Sequence, residues 1–383
     1  PTTKAARQAK QSTPVKTRSS RSNAPQLLPQ GLIKGKHVVC FWKQNDLGLF
    51  GRRPDRWIQM WEQDPLIEKI VVFEMPLSMA VLQEWLQRAI RLDPVSASEY
   101  RLLLDQTVGK LQGKSNTSKT TYKSYLPAPE KNADNKDYLR WVLQQIQLLG
   151  IENPSIVLWP ACFVNEALVQ SIKPCQVVTD IVDDQRLFAA NANLVPTITA
   201  QYATWLKLSD EVICNSESLI KSLGQEFGRK ITNIPNELLV LPPQLKRDPG
   251  VQKNNPSRTV IGYVGNMRER MDTESLITTI NANKDKDFWF IGQTHTSDFY
   301  AKARDLTNCT FWGTLRQVDA DRVVAQFDMA LIPFLDNALV RSMSPMKKET
   351  YKKSKVTTVT LKALNSQSKT PAQSNRKVKT AKP

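Results

Sequence analysis

The sequence predicts an α/β protein: two Rossmann-like domains facing a cleft, flanked by disordered basic tails. Three observations lead there. Short apolar runs alternate with segments whose apolar residues recur three and four apart, as in a parallel sheet covered on both faces. The alternation breaks at LPPQLKRDPGVQKNNPS (241–257), whose four prolines make it the best domain boundary in the chain. The formal charge of +17 sits at the ends: residues 1–36 carry eight Lys/Arg and no acid, and residues 347–383 carry eleven Lys/Arg and one acid, Glu349. The body between them is close to neutral.

The elements follow in order. HVVCFW (37–42) is a short apolar run of the kind a buried parallel strand shows. PDRWIQMWEQ comes next, with Trp57, Ile58 and Trp61 on one helical face and Pro54 suited to a first turn. KIVVFEM (69–75) is a strand and MAVLQEWLQRAIRL (79–92) a helix. Residues 110–137 are polar, lysine-rich and without period, which predicts a surface insertion. Helix YLRWVLQQIQLL, strand SIVLWPACF, helix NEALVQSI, strand QVVTDIV, a helix around TAQYATWLKL, strand EVICNS and helix ESLIKSLGQEF complete a first domain over 34–243. After a linker, 244–257, come four strands, RTVIGYVGN, FWFIG, CTFWGT and DMALIPF, with helices TESLITTIN, DFYAKARDL and DADRVVAQF between them. They make a second domain over 258–355. Residues 1–33 and most of 356–383 are too polar and too charged to bury a core and are predicted to be disordered, although VTTVTLKAL (356–364) could still form one strand.

Composition narrows the function. No apolar run reaches the ~18–20 residues of a membrane span, and the first residues contain no hydrophobic core of a signal peptide. The five cysteines, Cys40, Cys162, Cys175, Cys214 and Cys309, form no C-x-x-C pair and read as small buried thiols in a reducing compartment. With His37 and His295 the only histidines, a histidine-based zinc site is not expected. The expected location is cytoplasmic. The basic tails suit either contact with an anionic membrane face or simple solubilisation. Nucleic acid is not favoured, because no reader motif with interleaved aromatics accompanies the charge.

Four stretches carry candidate chemistry. In IGYVGNMRERMD (261–272) a strand runs into a Gly-containing turn, with a helix starting near Asp272. Gly265 lets backbone pass close to a ligand beside Asn266, while Arg268 and Arg270 supply forked donors for a diphosphate. The same spacing equally suits an ordinary turn with solvated arginines. It is not the G-x-G-x-x-G fingerprint of redox dinucleotides. VTDIVDDQRLF puts Asp180, Asp183 and Asp184 at a strand's carboxyl end, where open α/β sheets bind ligands. Such carboxylates could hold sugar hydroxyls, act as a base, bind a metal or cap a helix, and one of the three is expected to be a cap. FWKQNDLGLFGRRPDRW (41–57) forms a polar, flexible loop in which Asn45, Asp46 and Arg53 are candidate ligand contacts. In FDMALIPFLDNALVRSMSPMKKETY a strand gives way to a loop and then a helix near Ser344-Pro345. Lys347 falls in that helix's first turn, where a cation opposes the dipole unless an anion lies between them. A solvated lysine in a basic run is the alternative.

Taken together, VIGYVGNMRERMDTESL, FWFIG, CTFWGTLRQVDADRVVAQFDMALIPF and NALVRSMSPMKK resemble the donor-binding half of GT-B glycosyltransferases of the family-1/family-4-like group. DIVDDQRLF, SDEVICNSESL and GRRPDRW are similar to the acceptor half, in the same order from about residue 37 to 351. The resemblance implies a nucleotide-sugar donor as substrate, no cofactor and no metal. It also implies transfer with retention to a glycan, polysaccharide or lipid-linked acceptor, with the protein cytoplasmic or peripheral on the inner membrane face. It puts Gly265 in the phosphate loop, Arg268 or Arg270 near the diphosphate and Lys347 on a phosphate. Gly313, Thr314 and Leu315 would flank the nucleobase, and Asp183 and Asp184 would line the reacting centre. Asn45, Asp46 and Arg53 would lie on the acceptor side.

One departure is local. The group's Pro-x-Lys-x-x-Glu-Tyr places a ribose-binding glutamate where this chain has Thr350, and Glu349 stands one position early. On a helix one position is a rotation of ~100°. Past Tyr351 the Gly-containing turn is absent, so an atypical or truncated end and an incomplete donor site are expected. A catalytically impaired relative that binds a nucleotide or glycan is the alternative reading.

Overall fold

The computed structural model describes residues 32–127, 135–160, 162–239, 251, 253, 255–343 and 346–367. Seven parallel strands form the first sheet: β1 (His37–Phe41), β2 (Lys69–Phe73), β3 (Thr120–Lys123), β4 (Ser155–Leu158), β5 (Gln176–Ile181), β6 (Glu211–Cys214) and β7 (Thr232–Asn233). Their order is β3-β2-β1-β4-β5-β6-β7. Five parallel strands form the second: β8 (Val260–Val264), β9 (Asp287–Ile291), β10 (Cys309–Gly313), β11 (Met329–Ile332) and β12 (Thr357–Thr360). Their order is β10-β9-β8-β11-β12. Each sheet reverses its direction of winding once, between β1 and β4 and between β8 and β11. Those are the switch points at which doubly wound sheets open a crevice for ligands. Both sheets lie within one compact unit that begins at Ile33.

The helices are α1 (Arg53–Gln63), α2 (Met79–Arg91), α3 (Pro94–Leu111), α4 (Asn135–Leu148), α5 (Glu166–Ile172), α6 (Val195–Leu208) and α7 (Glu217–Leu219), which continues into a π-turn, Ile220–Gly224. Around the second sheet run α8 (Thr273–Ala282), α9 (Asp298–Ala303), α10 (Gln317–Val324), α11 (Ala338–Ser342), α12 (Met346–Lys353) and α13 (Leu361–Gln367). Their starts follow the sequence. Ser78, Asp93, Asn165, Ser216, Asp272, Ser297 and Asn337 each cap a helix by accepting from its first-turn amides. Asp272 thus opens α8 where expected.

The first core packs Val39, Phe41, Val71, Phe73, Ile156 and Leu158 beneath Tyr138, Val142 and Leu168. The second packs Ile261, Tyr263, Phe288, Phe290 and Leu331 against Leu276, Ile280 and Phe299. Strands β4 and β5 are buried along their whole length, which is why they read as unbroken apolar runs.

Several expectations change. Residues 110–137 are not only an insertion: they hold the end of α3 and β3, an edge strand reading TTYK. Edge strands tolerate polar and charged residues, so no apolar signal marked it. A whole helix, α3, went unread. Residues 356–383 are not mostly a tail at their start. Strand β12 pairs with β11, and Val359, Leu361 and Leu364 are buried in the second core. The second sheet therefore has five strands, the fifth lying in the stretch 356–364 whose sequence allows one. Among the cysteines, Cys175 is exposed rather than buried; all five are free thiols. The tail at 1–31, most of the linker, the predicted helix start at Ser344-Pro345 and the tail at 368–383 lie outside the described residues.

Candidate functional site

The second sheet's switch point carries the most unusual chemistry. Strand β8 ends in Gly265, whose φ of 141° suits glycine alone. A side chain there would run into the Lys347 ammonium. Lys347 sits in the first turn of α12, and Tyr351, one turn on, fixes the helix by accepting from the Val264 amide at 2.9 Å. Lys347 Nζ donates to the Tyr263 hydroxyl oxygen at 2.9 Å. That hydroxyl in turn donates to the Asn266 carbonyl at 2.9 Å. The ammonium also lies 4.2 Å from the centre of the Tyr263 ring and 4.9 Å from that of Phe334. Among the described residues no carboxylate meets it. Burial, and then the charge of Arg270, hold its pKa well below the usual lysine range. A partly desolvated cation without a counter-charge is unfavourable, and an anion bound between Gly265, Lys347 and Arg270 would relieve it.

The two arginines part company. Arg270 is half-buried, with its Nη1 3.6 Å from Met343 Sδ, and its charge acts on Lys347, Tyr263 and Asp183. Arg268 is exposed and turns the other way, with its Nη2 3.4 Å from the His295 carbonyl. Of the pair, Arg270 belongs with Lys347. The Asn266 Oδ1 is buried and has no hydrogen-bond partner among the described residues.

Asp183 faces the same region from the first sheet. Burial pushes its carboxyl up to about 6, while Arg270, Lys43 and Arg53 pull it the other way. Lys43, which donates to Gln185 Oε1 at 2.5 Å, is lowered to about 8, mainly by burial. Asp184 is the cap the cluster was expected to contain. It accepts from the Arg186 amide at 3.1 Å and pairs with the Arg186 guanidinium at 2.8 Å. Asp180 is structural: its carboxylate takes the Nε1 donors of Trp57 and Trp159, at 3.0 and 2.9 Å, and a fork from Arg53.

That fork corrects one assignment. Arg53 is buried, and its donors go to Asp180, to the Ile234 carbonyl at 2.7 Å and to Asn236 Oδ1 at 3.0 Å. It ties α1 to the far strands of the first sheet and offers nothing to an acceptor. The loop before it is likewise held rather than flexible. Asp46 is buried between Trp42 Nε1, at 2.9 Å, and Arg52 Nη1, at 2.5 Å. Asn45 donates to the Met75 carbonyl at 2.6 Å, and Asp55 receives the Gly48 and Arg52 amides at 2.7 and 2.8 Å.

Gly313 ends β10 and Thr314 follows it, and both meet α3. The Thr314 amide donates to Ser98 Oγ at 2.7 Å, and a Cβ on Gly313 would fall 2.5 Å from that oxygen. Leu315 packs into the core beside Val264 and Trp312. Glu349 lies in α12; its side chain is outside the described residues. Sequence reasoning missed Lys43, Tyr263, Phe334, Ser98 and Glu99. Of these only Lys43 carried a usable signal, as a cation two residues past the end of β1. Among the described residues no group of three or more His, Cys, Asp and Glu side chains is placed to hold a metal ion, and no helix is long and apolar enough to cross a membrane.

With two doubly wound sheets and a switch-point site, the chain has the GT-B fold. The sucrose-phosphate synthase structure from Thermosynechococcus elongatus matches it with a TM-score of 0.55 at 12% identity, over 85% of this chain and 81% of that one. A glycosyltransferase from Rickettsia africae ESF-5 gives a TM-score of 0.48 at 9% identity, over 85% and 79%. A UDP-GlcNAc 2-epimerase from Methanocaldococcus jannaschii gives 0.44 at 11%, over 85% and 83%. No protein-family profile matches the sequence, and no curated protein does.

Proposed function

We propose that the chain is a glycosyltransferase that takes a sugar from a nucleotide-sugar donor and passes it to a glycan, polysaccharide or lipid-linked acceptor. The observation that carries this reading is the half-buried Lys347 ammonium, set beside Gly265 and Arg270 with no carboxylate against it among the described residues. A leaving diphosphate supplies the missing negative charge. Stabilising that charge with fixed cations, rather than proton transfer by histidine, is the main catalytic demand of the reaction. It suits retention of configuration without a metal. Gly313 to Leu315 flank the nucleobase in this reading, and Asp183 meets the reacting sugar from the acceptor side. The sucrose-phosphate synthase likeness is consistent with it.

The test is a hydrolysis and transfer screen over several nucleotide-sugar donors. Turnover of one donor that falls at least tenfold in Lys347→Ala supports the reading, and turnover of none in folded protein opposes it. The basic ends are proposed to hold the chain on the inner face of an anionic membrane. Vesicles with and without anionic lipid test that separately.

A second reading, a catalytically impaired relative that only binds nucleotide or glycan, has its own support. Thr350 stands where the resembled group has its ribose-binding glutamate. Its hydroxyl bonds back to the Met346 carbonyl at 3.2 Å. Donor binding without hydrolysis or transfer would favour it.

A further inference from the structure

Helix α3 joins the two sheets. Its carboxyl half is fastened mainly to the first, with Arg316 at the start of α10 also donating to Gln106 Oε1 at 3.0 Å and to Asp105 Oδ2 at 2.5 Å. Lys110 Nζ meets Glu74 Oε1 at 2.6 Å with both side chains fully buried, and Gln106 Nε2 donates to the Leu47 carbonyl at 3.1 Å. Its amino half lies on the second, over the carboxyl ends of β9 and β10. Ser96 Oγ and Thr294 Oγ1 are 3.1 Å apart, and both residues are buried. Ser98 Oγ accepts from the Thr314 amide at 2.7 Å. The Glu99 carboxylate accepts from Gln293 Nε2. Asp93 Oδ1, at the helix cap, accepts from the Tyr300 hydroxyl at 2.8 Å.

The crevice outside strand carboxyl ends is where an open α/β sheet receives its ligand. Here α3 fills the part of that crevice beyond Gly265. Two consecutive residues bring the chemistry of a ligand. Ser98 offers a hydroxyl to a backbone amide that follows a glycine with φ of 69°. Glu99 brings a carboxylate on which the Arg268 charge acts. One of its oxygens, Oε2, is buried and has no partner among the described residues. A buried, half-satisfied carboxylate is costly, so the contact is poorly made for a permanent interface. It is better suited to one that exchanges.

We propose that residues Ser96–Tyr100 of α3 are an internal plug that occupies the nucleobase end of the donor cleft and must withdraw before a nucleoside diphosphate binds fully. This rests on the reading of the Lys347 site as a diphosphate site with Gly313–Leu315 at the base. Lys347 itself lies outside the plug, so the plug closes the base end and not the phosphate end.

The experiment locks the plug. Ser96→Cys with Thr294→Cys, in a Cys175→Ser background, places two thiols where the two hydroxyls now meet, at positions outside the proposed ligand contacts. Calorimetry with inorganic pyrophosphate, UDP, GDP and ADP is run on the oxidised and the reduced protein. In the reduced protein the preferred nucleoside diphosphate should bind at least tenfold more tightly than pyrophosphate. Oxidation should erase that advantage and leave pyrophosphate within about twofold. An advantage that survives oxidation overturns the plug, as does a reduced protein with no preference for any nucleoside diphosphate over pyrophosphate. If pyrophosphate and nucleotides fail to bind wild-type protein as well, the diphosphate reading itself falls, which is a different result. Ser98→Ala is the check that needs no crosslink: it takes away the acceptor of the Thr314 amide, so it should loosen the plug and tighten nucleoside diphosphate binding severalfold, and a loss of affinity would make Ser98 a ligand contact and end the proposal.

Discussion

Lys347 holds its ammonium 2.9 Å from the Tyr263 hydroxyl, in a pocket whose other nearby charge is the cation Arg270. The Tyr263 hydroxyl and the two ring faces are the ammonium's compensation, and no carboxylate meets it among the described residues. Its retention makes sense where a bound anion completes it, and the first prediction follows directly. Lys347→Met keeps the length of the side chain and removes the charge. The unliganded protein should become more stable, by about 1–4 kcal/mol on the scale seen when buried ions are replaced by apolar residues. Thermal melting without ligand checks this. A lower melting temperature would mean that the ammonium has a partner which stabilises it.

Binding should also be linked to protons. Burial depresses the Lys347 pKa in the free protein, and a bound diphosphate would raise it again. Between those two pKa values a proton is taken up with the ligand, so affinity should fall as pH rises across the interval. Calorimetry in buffers of different ionisation enthalpy reads that proton directly. No dependence on the buffer would mean that Lys347 is already charged before the ligand arrives.

Asp183 should titrate near pH 6, where burial places it. Its folded pKa lies above its unfolded one, so its contribution to stability is lost as pH rises toward 6 and is constant above. The Arg270 charge holds the value down, so Arg270→Ala should move the midpoint upward. Carboxyl chemical shifts against pH measure both proteins, and a midpoint that stays in place would separate the two residues.

Arg53→Ala should unfold the first sheet's far edge rather than alter ligand contacts. It leaves the Asp180 carboxylate buried between two tryptophans without its cation, a change that costs about 3–5 kcal/mol in comparable buried pairs. Denaturant unfolding measures it. A loss below about 1 kcal/mol would show that solvent reaches the pair.

The parallel strands and their helices were legible because they are buried on two faces and read as apolar runs, as Ser155–Leu158 and Gln176–Ile181 do. Strand β3 was not, because an edge strand reading TTYK needs no apolar pattern. The unread helix α3 is the more instructive case. It buries Ser96, Glu99, Gln106, Thr107 and Lys110 alongside Ala97, Tyr100 and Leu103. A helix that faces a second sheet through polar groups carries no clean apolar stripe, although Asp93-Pro94 marked its start. Of the site, Gly265 and Lys347 were visible as a strand-end glycine and a misplaced first-turn lysine. Tyr263 looked like one more core aromatic, and only the fold brings its hydroxyl to Lys347. Arg53 misled for the opposite reason: a loop arginine beside glycines looks available, and its partners Asp180, Ile234 and Asn236 lie far off in sequence.

The central claim is that Lys347 is the ligand-binding cation of the second sheet. Titrating UDP, GDP and ADP into wild-type protein, Lys347→Ala and Lys352→Ala tests it most directly, because Lys352 belongs to the same helix but is exposed. The account predicts that one nucleotide binds wild-type protein, that Lys347→Ala weakens it at least tenfold, and that Lys352→Ala changes it by less than about twofold. Equal losses in the two variants would contradict it, since the lysine run would then act only as diffuse charge.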